Sequence, residues 1–289
     1  MRFIIYLIVY PFLWSISILP FPILYLLSDF IYFVLYYIIG YRKEIVRENL
    51  AVALPHLSDN ERLIIEKKSF RHLCDMFLEM IKSMNISKKE MDKRFEFTNL
   101  DVYLELEEKH KSIALMMAHY ASYEWSMSLN DKIKFESYAI YKRLNNPYFD
   151  KLVRKIRSKF KVNLITTKET IPYIIENHKN KKLGLYGFAS DQSPKVDSAF
   201  HWNQFMGINV PIHTGAEMLA KRYDMNMIFL KVKKVKRGYY KASFVVLSEN
   251  TNGIPNYEIT DRFLKLVEEQ ILEAPEYYLW THKRWKHRR

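Results

Sequence analysis

Ile113-Ala-Leu-Met-Met117 runs directly into Ala118-His-Tyr-Ala-Ser-Tyr-Glu-Trp125. A short apolar run of this length reads as a buried strand, and the mixed stretch behind it as a turn leading into a helix. His119 then stands at the carboxyl end of the strand and Glu124 near the start of the helix. In one continuous helix the two side chains, five positions apart, would diverge by roughly 140° at about 100° per residue. They can meet only if His119 lies in the turn and Glu124 in the helix. A carboxylate on one imidazole nitrogen fixes the tautomer and leaves the other nitrogen as a general base. That is the base-and-orienter half of a serine-protease triad, without a protein nucleophile. For the pair taken alone, an ordinary hydrogen-bonded histidine is the other reading.

Working outward, the same alternation repeats. Apolar runs at Tyr138–Tyr141, Val162–Ile165 and Leu183–Phe188 read as strands. Helical stretches are expected at Glu124–Leu129, Tyr148–Phe160, Glu169–His178 and Pro211–Tyr223. Met227–Val235 and Tyr239–Leu247 flank Arg237-Gly238 as a hairpin, and a last helix covers about Thr260–Leu272. Strands alternating with helices imply an α/β fold with a mixed, mostly parallel sheet flanked by helices. In such sheets ligands bind beyond the carboxyl ends of the strands, where His119 falls. Upstream, Glu44–Ala53 reads as an amphipathic helix, and Ser58 with Glu61 forms a capping box ahead of a helix to about Lys82.

The first forty residues are of another kind. Between Phe3 and Gly40 the only charged side chain is Asp29. A segment of that length and polarity can cross a bilayer, which needs about 20 apolar residues. Pro20 and Pro22 interrupt it, so the expectation is either one spanning helix preceded by an interfacial one or a short re-entrant pair. Arg42, Lys43 and Arg47 follow the segment and only Arg2 precedes it, which puts the rest of the chain on the cytoplasmic side. The expected division is an N-terminal membrane-anchoring helical segment over 1–40 and a catalytic domain over 41–289.

Composition narrows the partners. Lys plus Arg outnumber Asp plus Glu by 45 to 32, a net charge of +13 that favours a polyanion: nucleic acid, an anionic membrane or a phosphate-bearing substrate. Cys74 is the only cysteine, which rules out an intrachain disulfide or a cysteine metal site and reads as core. With seven glycines and no phosphate-binding loop or dinucleotide fingerprint, ATP or NAD chemistry is disfavoured. No metal-ligand spacing is present; His201, His213, His282 and His287 read as surface or structural residues. No cofactor is expected, and nucleic-acid binding is disfavoured by the apolar segment and the lack of a recognised module.

His119 and Glu124 also form the H-x4-D/E signature of the lysophospholipid acyltransferases. The surrounding blocks resemble the lipid A branch of that superfamily, the lauroyl and myristoyl acyltransferases. Ala118–Trp125 is similar to an "AHFGNWEW" block, Tyr141–Pro147 to "YRPLNNP", and Asp191-Gln192 with Phe205-Met206-Gly207 to a "DQ" pair and an "FFG" triplet. Arg47–Leu50 matches "RxNL", and Tyr278–Trp285 matches a closing "YLWxHKRW". The blocks span nearly the whole chain in the same order. Two departures stand out: Ala121 replaces the usual glycine, and Lys142 the usual arginine.

The resemblance implies acyl transfer from acyl carrier protein to a hydroxyl of a lipid A precursor at the inner membrane of a Gram-negative bacterium. It makes His119 the base and Glu124 its orienting partner. Lys142 or Arg143, with Asn145, would hold an acidic or phosphate group of the phosphorylated glycolipid acceptor, and Asp191 and Gln192 would shape the pocket. The basic surface would meet the acidic carrier protein and an anionic phospholipid membrane. Three alternatives stay open on the residues: another glycolipid, an aminolipid or a pigment as acceptor; acyl-CoA as donor; or a non-catalytic lipid-binding protein on the same fold.

Overall fold

The computed structural model describes residues 2–289; the side chains of Arg2, Ile4, Ser158 and Ser198 lie outside the description, and with Arg2 one half of the charge comparison across the apolar segment. The apolar segment forms α1 (Arg2–Ile18) and α2 (Phe21–Phe33), the latter prolonged by π-helical turns over Val34–Ile39. Pro20 parts the two, and Pro22 falls in the first turn of α2, where its missing N–H is an orphan anyway. Gly40 ends the run at φ 69°, the left-handed geometry that glycine adopts without cost. Next come α3 (Lys43–Ala53) and α4 (Asp59–Lys82). Both bonds of the Ser58/Glu61 capping box are made, from Ser58 N–H to Glu61 Oε2 at 2.8 Å and from Glu61 N–H to Ser58 Oγ at 3.3 Å.

Two shorter helices, α5 (Lys88–Arg94) and α6 (Leu100–Glu108), bracket the strand β1 (Phe95–Phe97). Alternation then sets in with β2 (Ile113–Met117), a 3₁₀ helix (Tyr123–Lys132), β3 (Glu136–Tyr141), α7 (Pro147–Ser158) and β4 (Asn163–Thr166). It continues through α8 (Thr170–Lys179) to β5 (Gly184–Ala189). A two-stranded ribbon, β6 (His201–Phe205) and β7 (Ile208–Ile212), leads to α9 (Gly215–Arg222). The hairpin β8 (Asn226–Lys236) and β9 (Tyr239–Ser248) and the helix α10 (Glu258–Glu273) complete the order.

The main sheet has seven strands in the order β1-β9-β8-β2-β5-β3-β4. Every neighbouring pair is parallel except β8 with β9, so the α/β, mostly parallel reading holds. Cys74 is buried as expected. Ile16, Phe21, Leu24 and Tyr36 belong to the same buried cluster as Leu115 and Phe229, so α1 and α2 share one hydrophobic core with the body behind residue 40.

One expectation changes. The helix expected from Pro211 begins only at Gly215, and Pro211 lies in β7 opposite Trp202. Met206 and Gly207, at φ 53° and 75°, supply the two left-handed residues of a tight hairpin turn. A two-stranded ribbon has free edges, where a residue without an N–H is tolerated. The basic β8–β9 hairpin is largely paired with acidic groups. Lys231 and Lys233 pair with Glu273, Lys234 is buried against Asp75 and His72, and Arg237 is clamped between Asp29 and Asp75.

Candidate active site

β2 and β5 are parallel neighbours with Met117 opposite Ala189. Two residues further on, His119 and Asp191 therefore leave adjacent strands at the same height. The chain passes from β2 across β5 to reach β3, and from β5 across β2 to reach β8. Connections that diverge in this way open a crevice beyond the carboxyl ends of the strands.

Into that crevice His119 projects with Nδ1 2.7 Å from Asp191 Oδ1. Asp191 is fully buried, while about a fifth of the His119 side chain stays accessible. Burial alone would lower the pKa of the imidazole, but the charge and hydrogen bond of Asp191, helped by the charge of Glu124, outweigh it and the net shift is upward. Burial raises the Asp191 carboxyl in turn, yet the charge and hydrogen bond of His119 pull it below the ordinary carboxylate value. With Asp191 ionised, Nδ1 carries the proton and Nε2 keeps its lone pair. The His119 loop is clamped by the C-terminal segment: Leu279 N–H donates to His119 O at 3.1 Å, and Ala121 N–H donates to Tyr277 O at 2.9 Å. Ala121 sits at φ 50°, left-handed geometry that costs a non-glycine residue roughly 1–2 kcal/mol, which accounts for a glycine in the block it resembles.

The expected partner of His119 is thus exchanged. Glu124, in the 3₁₀ helix, accepts two bonds from Arg157 of α7, at 2.9 Å from Nε and 2.5 Å from Nη2. Its carboxylate is committed to that fork and reaches the imidazole through its field. Asp191, expected on the pocket wall, makes the direct contact instead. The reason is register: β5 lies beside β2, whereas the first turn of the 3₁₀ helix presents Glu124 to α7.

The other expected site residues are not gathered around His119. Lys142, Arg143 and Asn145 are exposed in the loop after β3, one strand beyond β5 on the same carboxyl edge. Arg143 lies 3.8 Å from Asp150, and Asn146 caps α7 by accepting from Tyr148 N–H at 3.1 Å. Gln192 is half-buried directly after Asp191.

Sequence reasoning missed Arg157 altogether and set His282 aside as surface or structural. His282 lies in the field of both Asp191 and His119, and burial pushes it down to about 4. Its neighbour Arg284 is buried; Nη1 donates to Ser193 Oγ at 3.1 Å and Pro211 O at 3.3 Å, but Nε and Nη2 find no hydrogen-bond partner among the described residues. The closing block pointed here, but nothing in its spacing gave it a role.

His119 lines one small cavity, with His72, Leu73, Met76 and the segment Tyr277–Thr281. A second, almost wholly apolar, lies under the 3₁₀ helix between Leu115, Met117, Met127, Val162, Leu185 and Gly187. It begins two residues short of His119.

Fold and site together define an α/β enzyme whose histidine stands at the switch point of its sheet. The family model of the bacterial lipid A biosynthesis acyltransferases matches residues 1–287, and the chain belongs to that family of O-acyltransferases. It is similar to the lipid A biosynthesis lauroyltransferase of Escherichia coli (strain K12), 22% identical over 277 residues, 96% of this chain and 89% of that one. It is also similar to the palmitoleoyltransferase of the same strain and to a lipid A biosynthesis acyltransferase of Shigella flexneri. Each is 24% identical over 281 residues, with 96% of this chain and 89% of the relative covered.

Proposed function

We propose that the chain moves a fatty acyl group from an acyl carrier protein thioester to a hydroxyl of a phosphorylated lipid A precursor, with His119 as general base. The observation that carries this reading is the 2.7 Å contact of His119 Nδ1 with buried Asp191 at the carboxyl edge of the sheet. The acceptor oxygen attacks the thioester carbonyl carbon as its proton passes to Nε2. Negative charge gathers on the carbonyl oxygen, and fixed nearby donors or cations stabilise it. The C–S bond then breaks, and the leaving thiolate takes the proton back from the imidazolium. Asp191 and the field of Glu124 favour that imidazolium, and Arg157 limits the effect.

Lys142 and Arg143, both exposed, with Arg143 3.8 Å from Asp150 and in the field of Glu169, suit a phosphate arriving at the same edge. The net charge of +13 favours an acidic carrier protein as donor. The site of action is the cytoplasmic face of the inner membrane, supported by the apolar residues 3–40 and the basic residues behind them.

The apolar cavity under the 3₁₀ helix suits the acyl chain. A Cβ added at Gly187 would meet only Tyr138 O at 3.8 Å, so a larger side chain enters the cavity without moving backbone. Gly187→Leu is expected to shift preference toward shorter acyl donors, each excluded methylene weakening binding by about 0.8 kcal/mol, or about fourfold. Unchanged donor preference in a folded G187L enzyme would move the chain out of this cavity.

The reading as a whole is tested by transfer from labelled acyl carrier protein donors of several chain lengths to a panel of lipid acceptors, with His119→Ala alongside. Transfer to a lipid A precursor that His119→Ala lowers by about 10²–10⁴-fold supports it. Transfer to a different acceptor replaces the substrate and keeps the mechanism, and undiminished turnover in H119A removes the mechanism.

A further inference from the structure

α2 with its π-helical extension, Phe21–Ile39, is the one segment among the described residues long and apolar enough to span a bilayer as a continuous helix. Its surface is divided lengthwise. Leu24, Ser28, Tyr32 and Tyr36 are buried, while Ile23, Leu26, Phe30, Phe33 and Tyr37 are exposed on the opposite stripe at helical spacing. The buried stripe is pinned to α4 from end to end in antiparallel register. Tyr36 Oη donates to Glu66 at 2.8 Å, Ser28 Oγ to Asp75 at 2.7 Å and Tyr25 Oη to Glu79 at 2.9 Å. Beyond the helix start, Lys82 Nζ donates to Ser17 O and Leu19 O at 2.8 and 2.7 Å, fixing the end of α1 to the same helix. Arg237, at the tip of the β8–β9 hairpin, closes the joint by bridging Asp29 of α2 and Asp75 of α4.

This register decides how the segment can meet a membrane. If α2 stood upright through hydrocarbon about 30 Å thick, α4 would stand beside it over the same depth. The exposed Lys67, Lys68 and Arg71 of α4 and the tip of the hairpin would then be in lipid with it. Charges at that depth are strongly disfavoured unless they face a protein interior or water. The contacts between α2 and α4 are too many, too polar and too well buried for the two helices to separate on insertion.

We infer that α1 and α2 lie flat in a single leaflet of an anionic phospholipid bilayer and do not cross it. The outer stripe of α2 and the Ile5, Ile8 and Phe12 stripe of α1 enter the acyl region, while α4 rests above them at headgroup level. Charge complementarity supports this partner: Lys67 is exposed on α4, and Lys68 and Arg71, each more than half exposed, are held by pairs to Glu276 at 3.6 Å and Asp29 at 3.5 Å. The face also continues to the carboxyl edge of the sheet. Tyr6 stacks on Tyr148 at 5.7 Å and Phe3 packs against the same ring, tilted, at 5.1 Å; Tyr148 closely follows the exposed Leu144 and the Lys142–Arg143 loop. A lipid lying in that leaflet therefore has its headgroup level with the crevice. The inference rests on the packing of α2 and does not depend on the acyl-transfer mechanism.

The test is a depth measurement on full-length protein reconstituted in vesicles of phosphatidylethanolamine and phosphatidylglycerol. Single cysteines replace Ile23, Phe30 or Tyr37 and carry an environment-sensitive fluorophore; Cys74, buried and with its thiol pushed up to about 12 mainly by burial, stays unlabelled. Ile23 and Tyr37 are about 21 Å apart along the helix axis at 1.5 Å per residue. Lipids brominated at shallow or deep positions then report the depth of each probe. An in-plane helix gives the same shallow depth at all three positions. A graded series with Phe30 deepest, or no quenching at any position, would overturn the inference.

Discussion

An Asp191→Asn enzyme is expected to fold normally and to lose about 10⁴ in kcat, the scale set when an orienting carboxylate behind a catalytic imidazole becomes an amide. The asparagine keeps the shape of a side chain that is wholly buried and bonded to His119 Nδ1. What changes is the charge that holds the proton on Nδ1 and the lone pair on Nε2. A second readout follows from sign. Asp191 is the main reason the imidazole titrates above its ordinary 6.5 despite burial. The proposed base works only when unprotonated, so the acid limb of kcat/KM in the native enzyme is expected above the ordinary 6.5 of an imidazole. Removing the charge of Asp191 leaves burial as the dominant influence, and that limb moves to lower pH. A D191N variant within about tenfold of the native rate, or one whose acid limb does not move, would show that the contact is structural and that the base is held in another way.

The history of this residue shows how far a sequence can be read. His119 was legible because a five-residue apolar run and a turn fix where a strand ends, and the site lies where strands of this fold end. Asp191 also stands just past an apolar run, Leu183–Phe188, but nothing in the chain says that this run lies beside β2. Strand order is set by which crossovers pack on which face, a tertiary property that leaves no local trace. Once Met117 is known to face Ala189, the pairing of residues two positions further on follows directly. The strand–turn–helix pattern and the H-x4-E spacing bring Glu124 within reach of His119, but its bonded partner, Arg157, comes from a helix whose docking depends on the same unseen strand order. The β6–β7 ribbon was missed for a local reason. Met206-Gly207 lacks the asparagine or aspartate that marks a two-residue hairpin, and Pro211 looked like the start of a helix. The apolar segment was legible as membrane-seeking. Only its bonds to α4, through Ser28, Asp29 and Tyr36, reveal that it is also part of the core.

Glu124→Gln is expected to cost about 3–5 kcal/mol of stability, because it removes one member of a buried pair and leaves the Arg157 guanidinium uncompensated. Loss of activity in that variant would therefore say little about chemistry, since the docking of α7 through Arg157 is disturbed with it. The double variant Glu124→Leu with Arg157→Leu separates the two roles. Apolar residues of similar size often replace a buried ion pair at little cost, so the midpoint of denaturant unfolding should recover most of what E124Q loses. Activity should not recover with it. The field of Glu124 raises the imidazole and that of Arg157 lowers it, with Glu124 the stronger of the two. Deleting both leaves His119 with Asp191 alone, so the acid limb of kcat/KM shifts slightly downward and kcat stays depressed because the imidazolium is less favoured. Recovery of stability and rate together would reduce Glu124 to a brace for α7. Recovery of stability without rate would mean that the carboxylate of the H-x4-E signature acts on His119 across space, with Asp191 making the bond.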